Sequence, residues 1–368
     1  MNASSMVHSP RSMAYDHIRC RHAFRRAGIP LRVASAVLIV AAAHAAISAA
    51  SGTALRAFWI SPSAISSTAD VRRVVSSAVS GGFDAVIAPL VIGARNESSS
   101  FDGRTEVLRE ARQRGLGAHL SVAVNVAAAI GELQASRDHV IYQHPEWLMV
   151  PRHLAAEMLK IDARSPAYLG QIARWSRANS DRVDGVYVSP LDPAAALYLV
   201  RAVVTAVGRH SADGLYLEAL DFPGEDFDYS RHAMDLFRKR MRAALSLAER
   251  ARLDAIEAID PFAFAEEFPS EWRRFRESAL TDLLEQLRTA LRASHPALTV
   301  AVGARADAEA SQREHFQSWS SWLERGMVDR IGYRSRATGT VLLTPDGVFA
   351  SIRERLPSIQ AAGAGGPR

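Results

Sequence analysis

The sequence predicts an α/β protein built as a (β/α)8 TIM-type barrel, from about residue 53 to residue 358. Short apolar runs alternate with segments of helical period, which is typical of β/α units around a parallel sheet. No glycine-rich phosphate-binding turn follows the first apolar run, so a barrel is favoured over an open doubly wound sheet. With 368 residues, 48% of them hydrophobic, the chain is long enough to bury such a core.

Seven strands and the helices between them are predicted in order. The strands lie at Leu55–Ile60, Phe83–Ala88, Ala118–Val124, Val183–Ser189, Gly214–Glu218, Leu298–Val302 and Val328–Tyr333. The helices lie near residues 68–80, 104–115, 166–178, 192–208, 270–293 and 315–325, with a charged amphipathic helix from Arg231 to about Glu257. The eighth strand is open to two interpretations: either the short segment Thr340–Leu343 completes the barrel, or the barrel is incomplete at its last strand.

Two insertions interrupt the alternation, at Asn125–Arg164 and Asp221–Pro269. Barrels carry their chemistry on loops at the carboxyl ends of the strands. These insertions are therefore expected to surround the functional site.

An amino-terminal leader is predicted for residues 1–52. It contains six arginines and one acid, followed by the apolar segment Val33–Ala50, which is the layout of a secretory signal. Cleavage is predicted between Ala46 and Gly52; the alternative is a retained anchor, because the apolar segment approaches the length of a membrane span. The chain is expected to be exported, periplasmic or secreted, and to contact a membrane only through an uncleaved leader. Residues 359–368 are expected to form a flexible tail.

The charge of the chain argues against a nucleic-acid partner. The net charge of +5 lies entirely in the leader, and the rest of the chain holds 38 basic and 38 acidic side chains. The single cysteine, Cys20, is also in the leader, which removes disulfide and thiolate chemistry from the remainder. The histidines are scattered without metal-binding spacing, and no nucleophile elbow or Walker loop occurs. No metal and no cofactor are predicted.

Segments spread over most of the chain resemble one family of barrels. They are RAFWISPSAISSTADVRRVVSSAVSGGFDAVI, RGLGAHLSVAVNV, HPEWLMVPR, VDGVYVSPLDPAAALYLVRAVVTAV, and GLYLEALDFPGEDFDYSR with the later SEWRRFRESALTDLLEQLR. In this order they resemble the exported bacterial proteins of glycosyl hydrolase-like family ten. The resemblance implies a β/α barrel, and it implies an activity on glycosidic bonds less strongly.

The chain departs from the family pattern where the chemistry is expected. The family's fifth strand ends in Asp-Gly, a hydrophobic residue, His, a hydrophobic residue, and Asp-Tyr-x-Arg-Tyr-Pro. Tyr216 stands for the His, Glu218 for the second Asp, Ala219 for the first Tyr and Asp221 for the Arg, whereas Pro223 is retained. The family's Asp is the expected catalytic or substrate-orienting carboxylate, so the resemblance implies that role for Glu218.

Glycosidic cleavage requires a carboxylic acid and a carboxylate, so Glu218 and Asp221 are the predicted catalytic residues. Glu225, Asp226 and Asp228 are the other acids that could pair with Glu218. For Glu218 the alternative is a carboxylate paired with an arginine at the barrel rim. The residues predicted to contact a sugar are Trp59, His119, Asn125, Tyr216, Arg276 and Tyr333. Trp59 and His119 could instead pack in the core, and Arg276 could instead pair with Glu277 or Glu218. The run from Asp226 to Arg231 is interpreted as a helix start, with Asp or Ser as the N-cap.

Three functions are compatible with these features. The first is an exported glycoside hydrolase that cleaves a cell-wall or extracellular polysaccharide, with Glu218 as general acid. The second is a non-catalytic relative, a pseudoenzyme, that binds a glycan or a protein partner in an altered pocket. The third is a decayed gene product without a ligand. A carbohydrate polymer is the partner that the resemblance implies.

Overall fold

The computed structural model describes residues 54–90, 92, 101–130, 137–305, 307–335 and 339–343. The predicted leader and tail lie outside the described residues, so both boundaries stay predictions. Among the described helices, none combines the length and the apolar composition that a membrane crossing requires.

A closed barrel of seven strands forms the centre of the fold. Six strands run parallel in the order β1-β2-β3-β6-β7-β8, and β9 pairs antiparallel with both β8 and β1. They are β1 Ala54–Trp59, β2 Ala85–Leu90, β3 Gly117–Ala123, β6 Gly214–Glu218, β7 Thr299–Gly303, β8 Arg330–Ser335 and β9 Gly339–Leu343. The predicted TIM-type barrel is confirmed, although its described parallel strands are six and not eight. The short segment at residues 339–343 closes the barrel as an antiparallel strand.

The strand predicted at Val183–Ser189 is not a barrel strand, and this part of the prediction is wrong. Its central residues form β5, Gly185–Tyr187, which pairs antiparallel with β4, Val126–Ala129, in a separate two-stranded sheet. A Cβ atom at Gly185 would lie 2.0 Å from the carbonyl oxygen of Ala128, so only glycine allows this close pairing. Because β5 is diverted, β3 pairs directly with β6.

The helices surround the barrel and extend its upper loops. They are α1 Thr68–Ser80, α2 Gly103–Gln113, α3 Val140–Gln143, α4 Arg152–Met158, α5 Pro166–Ala178, α6 Pro193–Val207, α7 Arg231–Ala244, α8 Leu247–Glu257, α9 Ala263–Glu267, α10 Pro269–Ser294, α11 Ala308–His315 and α12 Trp319–Glu324. The predicted single helix from Arg231 to Glu257 is two helices. Ser246 and Glu249 form a reciprocal capping box that begins α8, and α7 ends before it.

Tyr216 fills the interior of the barrel. It belongs to a small inward-facing cluster with Ala57, Ala85, Ile87, Ala301 and Leu342. Two neighbouring strands make room for its ring with glycines: a Cβ atom at Gly332 would lie 2.1 Å from its Cε2 atom, and one at Gly303 would lie 2.6 Å from its hydroxyl oxygen. The barrel is therefore packed below its upper rim.

Candidate functional site

Glu218 lies at the barrel mouth, which we define as the carboxyl ends of the parallel strands. It is the last residue of β6 and pairs in register with Ala123, the last residue of β3. Side chains alternate along a strand, so Glu218 shares the inward face with Tyr216 and stands one layer above it. The side chain is partly buried. This position is the one from which barrel enzymes present catalytic groups.

Backbone strain follows Glu218 directly. Ala219 has φ 46°, in the left-handed region that non-glycine residues rarely adopt. The backbone N–H of Asn125 donates to the carbonyl of Ala219 at 3.4 Å. This conformation turns the chain out of the strand into the loop of Asp221–Ser230. Strain of this kind concentrates at functional sites.

Asp221 is held in an ion pair below the surface. Its carboxylate is 1% exposed, and Arg305 donates from Nε to Oδ2 at 2.5 Å and from its terminal nitrogen to Oδ1 at 3.4 Å. The same guanidinium contacts Asp184 at 3.2 Å. The charge of Asp221 raises the pKa of Arg305 well above its ordinary value. Neither oxygen of Asp221 can reach a substrate unless Arg305 is displaced.

Trp59 is the predicted sugar-contacting aromatic residue that the structure places at the mouth. It ends β1, is partly buried, and meets the Tyr216 ring edge to face at 5.8 Å. Tyr216 itself is buried beneath it. A ligand at the mouth would therefore meet Trp59 and Glu218 before Tyr216.

His119 lies deeper in the barrel, towards the amino ends of the strands. His119 pairs in register with Gly214, which lies two residues before Tyr216 on β6. A Cβ atom at Gly214 would lie 2.3 Å from the Nδ1 atom of His119. Burial lowers the pKa of His119 to about 4, with Asp213 acting against that shift and Arg330 adding to it. His119 is thus a neutral, packed side chain near pH 7.

Asn125 joins the barrel to the two-stranded sheet. Its carbonyl accepts the N–H of Val188 at 2.8 Å, and its Nδ2 atom donates to the Val188 carbonyl at 3.4 Å. The side chain is fully buried, and among the described residues its Oδ1 atom has no hydrogen-bond partner. The structure gives Asn125 a positioning role at the base of the first insertion.

Arg276 and Tyr333 make their described contacts outside the barrel interior. Arg276 is buried, donates to the carbonyls of Glu225, at 2.7 Å, and Phe227, and stacks on Phe316 at 3.9 Å. Burial lowers its pKa to about 10. Its described hydrogen bonds thus go to backbone carbonyls and fix the loop after β6. Tyr333 alternates with Gly332, so it points to the helical layer, where its ring meets Trp319 edge to face at 6.2 Å.

Asp228, predicted as part of a helix start and as a possible second carboxylate, has a role in the fold. Ser230 is the N-cap of α7, as predicted, whereas Asp228 fastens the two insertions together. Its Oδ1 atom accepts the N–H groups of Val150 at 2.8 Å and Ser230 at 2.9 Å. Arg305 and Asp184 were missed by sequence reasoning, because their pairing with Asp221 has no local sequence signal. Among the described residues no group of three or more potential metal ligands occurs.

The carboxyl of Asp228 is expected to make stability depend on pH. Burial raises its pKa from 3.8 to about 6, against hydrogen bonds from Val150, Ser230 and Ser189. The folded state therefore holds this proton more tightly than the unfolded state, and the stabilisation present below pH 4 is lost as pH rises through 6.

Asp228→Asn keeps the acceptor oxygen but cannot ionise. We expect its stability relative to the native protein to rise by roughly 2 kcal/mol between pH 4 and pH 7, measured by urea unfolding. A difference that stays constant over this range would contradict the assignment.

Comparison with solved structures finds similarity to several glycoside hydrolases. The glycoside hydrolase domain of PgaB (BpsB) from Bordetella bronchiseptica is 14% identical, with 76% of this chain and 74% of that chain covered and a TM-score of 0.43. For the catalytic domain of β-amylase from Paenibacillus polymyxa the identity is 11%, the coverages are 84% and 83%, and the TM-score is 0.47. β-Galactosidase from Marinomonas ef1 is 10% identical, with 76% of this chain and 40% of that chain covered and a TM-score of 0.48. These TM-scores lie below 0.5, so the likenesses carry no inference about activity.

No curated protein matches the chain significantly. The family described as glycosyl hydrolase-like 10 matches residues 90–339, which is about two thirds of the chain and includes β3, β6, β7 and β8. The resemblance inferred from the sequence segments is confirmed by this match. The chain belongs to the glycosyl hydrolase-like 10 family.

Proposed function

We propose that this chain is an exported barrel that binds a segment of a cell-wall or extracellular polysaccharide at its mouth, without cleaving it through a pair of carboxylates. The observation that carries the proposal is the burial of Asp221 under Arg305. Hydrolysis needs two carboxyl groups that can reach the glycosidic bond from the two sides. Asp221, the first partner predicted for Glu218, is held by Arg305.

Three features support a sugar ligand at the mouth. The family is hydrolase-like, and barrels of this kind use the strand ends for ligand contact. Trp59 is partly exposed there and offers an aromatic surface. Glu218 offers carboxylate oxygens that accept hydrogen bonds from hydroxyl groups. Export is proposed from the arginine-rich leader and its apolar segment.

Hydrolysis is the second candidate function, and one observation favours it. Asp184 is largely exposed and reaches the same Arg305 that holds Asp221. It could serve as the second carboxylate with Glu218 as general acid. This reaction would use a different pair from the predicted one.

Glu218→Gln separates the two functions. If the chain only binds, the native protein releases no reducing ends from peptidoglycan or soluble glycans above a protein-free blank. The variant is then expected to bind the same glycans about three- to tenfold more weakly, because it loses a charge-assisted hydrogen bond. Glu285→Gln is the matched control, because Glu285 pairs with Arg325 on the outer helices.

Native activity that falls at least about a hundredfold in Glu218→Gln, but not in Glu285→Gln, would overturn the binding proposal in favour of hydrolysis. Equal glycan affinity in the native protein and both variants would show that Glu218 does not contribute to glycan binding. Recovery of the chain at full mass from the cytoplasm, after expression with its leader, would contradict export.

A further inference from the structure

A second cleft lies apart from the barrel mouth, between residues 158–163 and the first turn of α7. Its volume is about 430 Å³, within the range of small-molecule sites. The residues that line it do not include Trp59, Glu218 or Asp221. We propose that this cleft is an auxiliary binding site for a neutral sugar unit of a glycan chain.

Tyr168 is the first observation that points to a ligand. It lines the cleft and is 4% exposed. Burial raises the pKa of this hydroxyl, and the charges of Asp228 and Glu146 add to the shift while Arg231 opposes it. Glu146 and Arg231 also line the cleft, so the hydroxyl lies within the field of its charged walls. A tyrosine hydroxyl both donates and accepts hydrogen bonds, so it can pair with a hydroxyl group of a ligand in the cleft.

The balance of charge around the cleft selects the class of ligand. Three acids, Glu146, Asp162 and Asp235, stand with two permanently charged bases, Lys160 and Arg231, and with His232. With opposite charges so nearly matched, the wall has no strong net field that would favour an anion or a cation. It offers many hydrogen-bond donors and acceptors, which suits vicinal hydroxyl groups. Apolar side chains of the segment 158–163 complete the wall and suit the C–H face of a sugar ring.

The polar side chains of the cleft are already oriented by neighbours outside it. His232 forms a hydrogen bond with Asp192 at 2.6 Å, and Asp192 also caps α6 by accepting the N–H of Ala194. Burial opposes ionisation of Asp192, but the bond from His232 and the capping N–H groups lower its pKa below its ordinary value. Glu146 contacts His144 at 3.0 Å. Preorganised groups of this kind bind without a large ordering cost.

This inference rests on the proposed function, because the choice of a sugar as the ligand of the cleft follows from the glycan proposed for the mouth. Both insertions build it, and both follow the carboxyl ends of barrel strands. A polymer held at the mouth could thus also be held at a second point.

The test is binding of defined probes to the full chain: cellotetraose, chitotetraose and a soluble peptidoglycan digest, measured by titration calorimetry. Tyr168→Phe removes the hydroxyl and keeps the ring. We expect it to weaken the binding of at least one probe about three- to tenfold, with cooperative unfolding retained. Tyr198→Phe is the matched control, because Tyr198 lies outside the cleft and undergoes the same change. Glu146→Gln is the second variant.

Unchanged affinity in both Tyr168→Phe and Glu146→Gln, with weaker binding in Glu218→Gln, would overturn the auxiliary site. It would support binding at the mouth alone. Weaker binding in the two cleft variants, with no change in Glu218→Gln, would support the cleft and contradict binding at the mouth. Failure of every probe to bind the native protein would overturn both.

Discussion

Replacing Arg305 with alanine is expected to lower the free energy of unfolding by about 3 kcal/mol. The change leaves the carboxylate of Asp221, 1% exposed, without its charged partner. Breaking a buried ion pair is strongly destabilising because the remaining charge has lost its hydration. Arg305 is about one third exposed, so the lower end of the range applies. Urea unfolding followed by circular dichroism at neutral pH measures the effect.

Arg313→Ala is the matched control for this prediction. It truncates the same side chain, but from an exposed pair with Glu314 at 2.7 Å, and a change within about 0.5 kcal/mol is expected. Asp221→Asn in the Arg305→Ala background should restore part of the lost stability, because it removes the buried charge. Equal losses in the two arginine variants would show that the pair does not hold the loop after β6.

Gly332→Ala is expected to cost about 3 kcal/mol, the upper end of the usual range for overpacking. The added methyl group would lie 2.1 Å from Cε2 of Tyr216, whose ring is enclosed in the barrel. Strand backbone and a packed ring cannot separate without displacing β8 or the ring itself. Thermal or urea unfolding of the variant measures the loss.

Gly170→Ala provides the control for the glycine substitution. Gly170 lies in α5, and apart from its chain neighbours and the backbone of its own helix no described atom lies within 4 Å of the added Cβ. This variant should therefore be more stable by about 0.5–1 kcal/mol. The Gly332→Ala change should also cost much less in a Tyr216→Leu background, because the clashing ring atoms are gone. An undiminished loss there would mean that the ring is not what excludes a side chain at Gly332.

The barrel could be predicted from the sequence because its signals are local. Strand β6 and helices α1 and α5 have the predicted limits, since apolar periodicity and caps such as Ser67 and Ser165 mark them. The diversion of β5 could not be predicted. Its apolar run resembles a barrel strand, and the pairing with β4 depends on tertiary contacts that periodicity does not encode.

The candidate site was predictable only where strand position decides it. The end of β6 placed Glu218 at the mouth, as the strand pattern implies. The partner of Asp221 lies 84 residues further along the chain, and no spacing rule joins the two. Alternation also leaves open which of Gly332 and Tyr333 faces inward. The ring of Tyr216 decides this, because it occupies the space beside Gly332.

The antiparallel closing strand β9 has a consequence for self-association. A sheet of six parallel strands would end in two rows of unpaired backbone N–H and C=O groups, on β1 and on β8, and such rows recruit strands from other molecules. One short segment, Gly339–Leu343, pairs with both rows at once. Among the described residues, the six parallel strands therefore present no unpaired barrel edge as a template for intermolecular sheet growth.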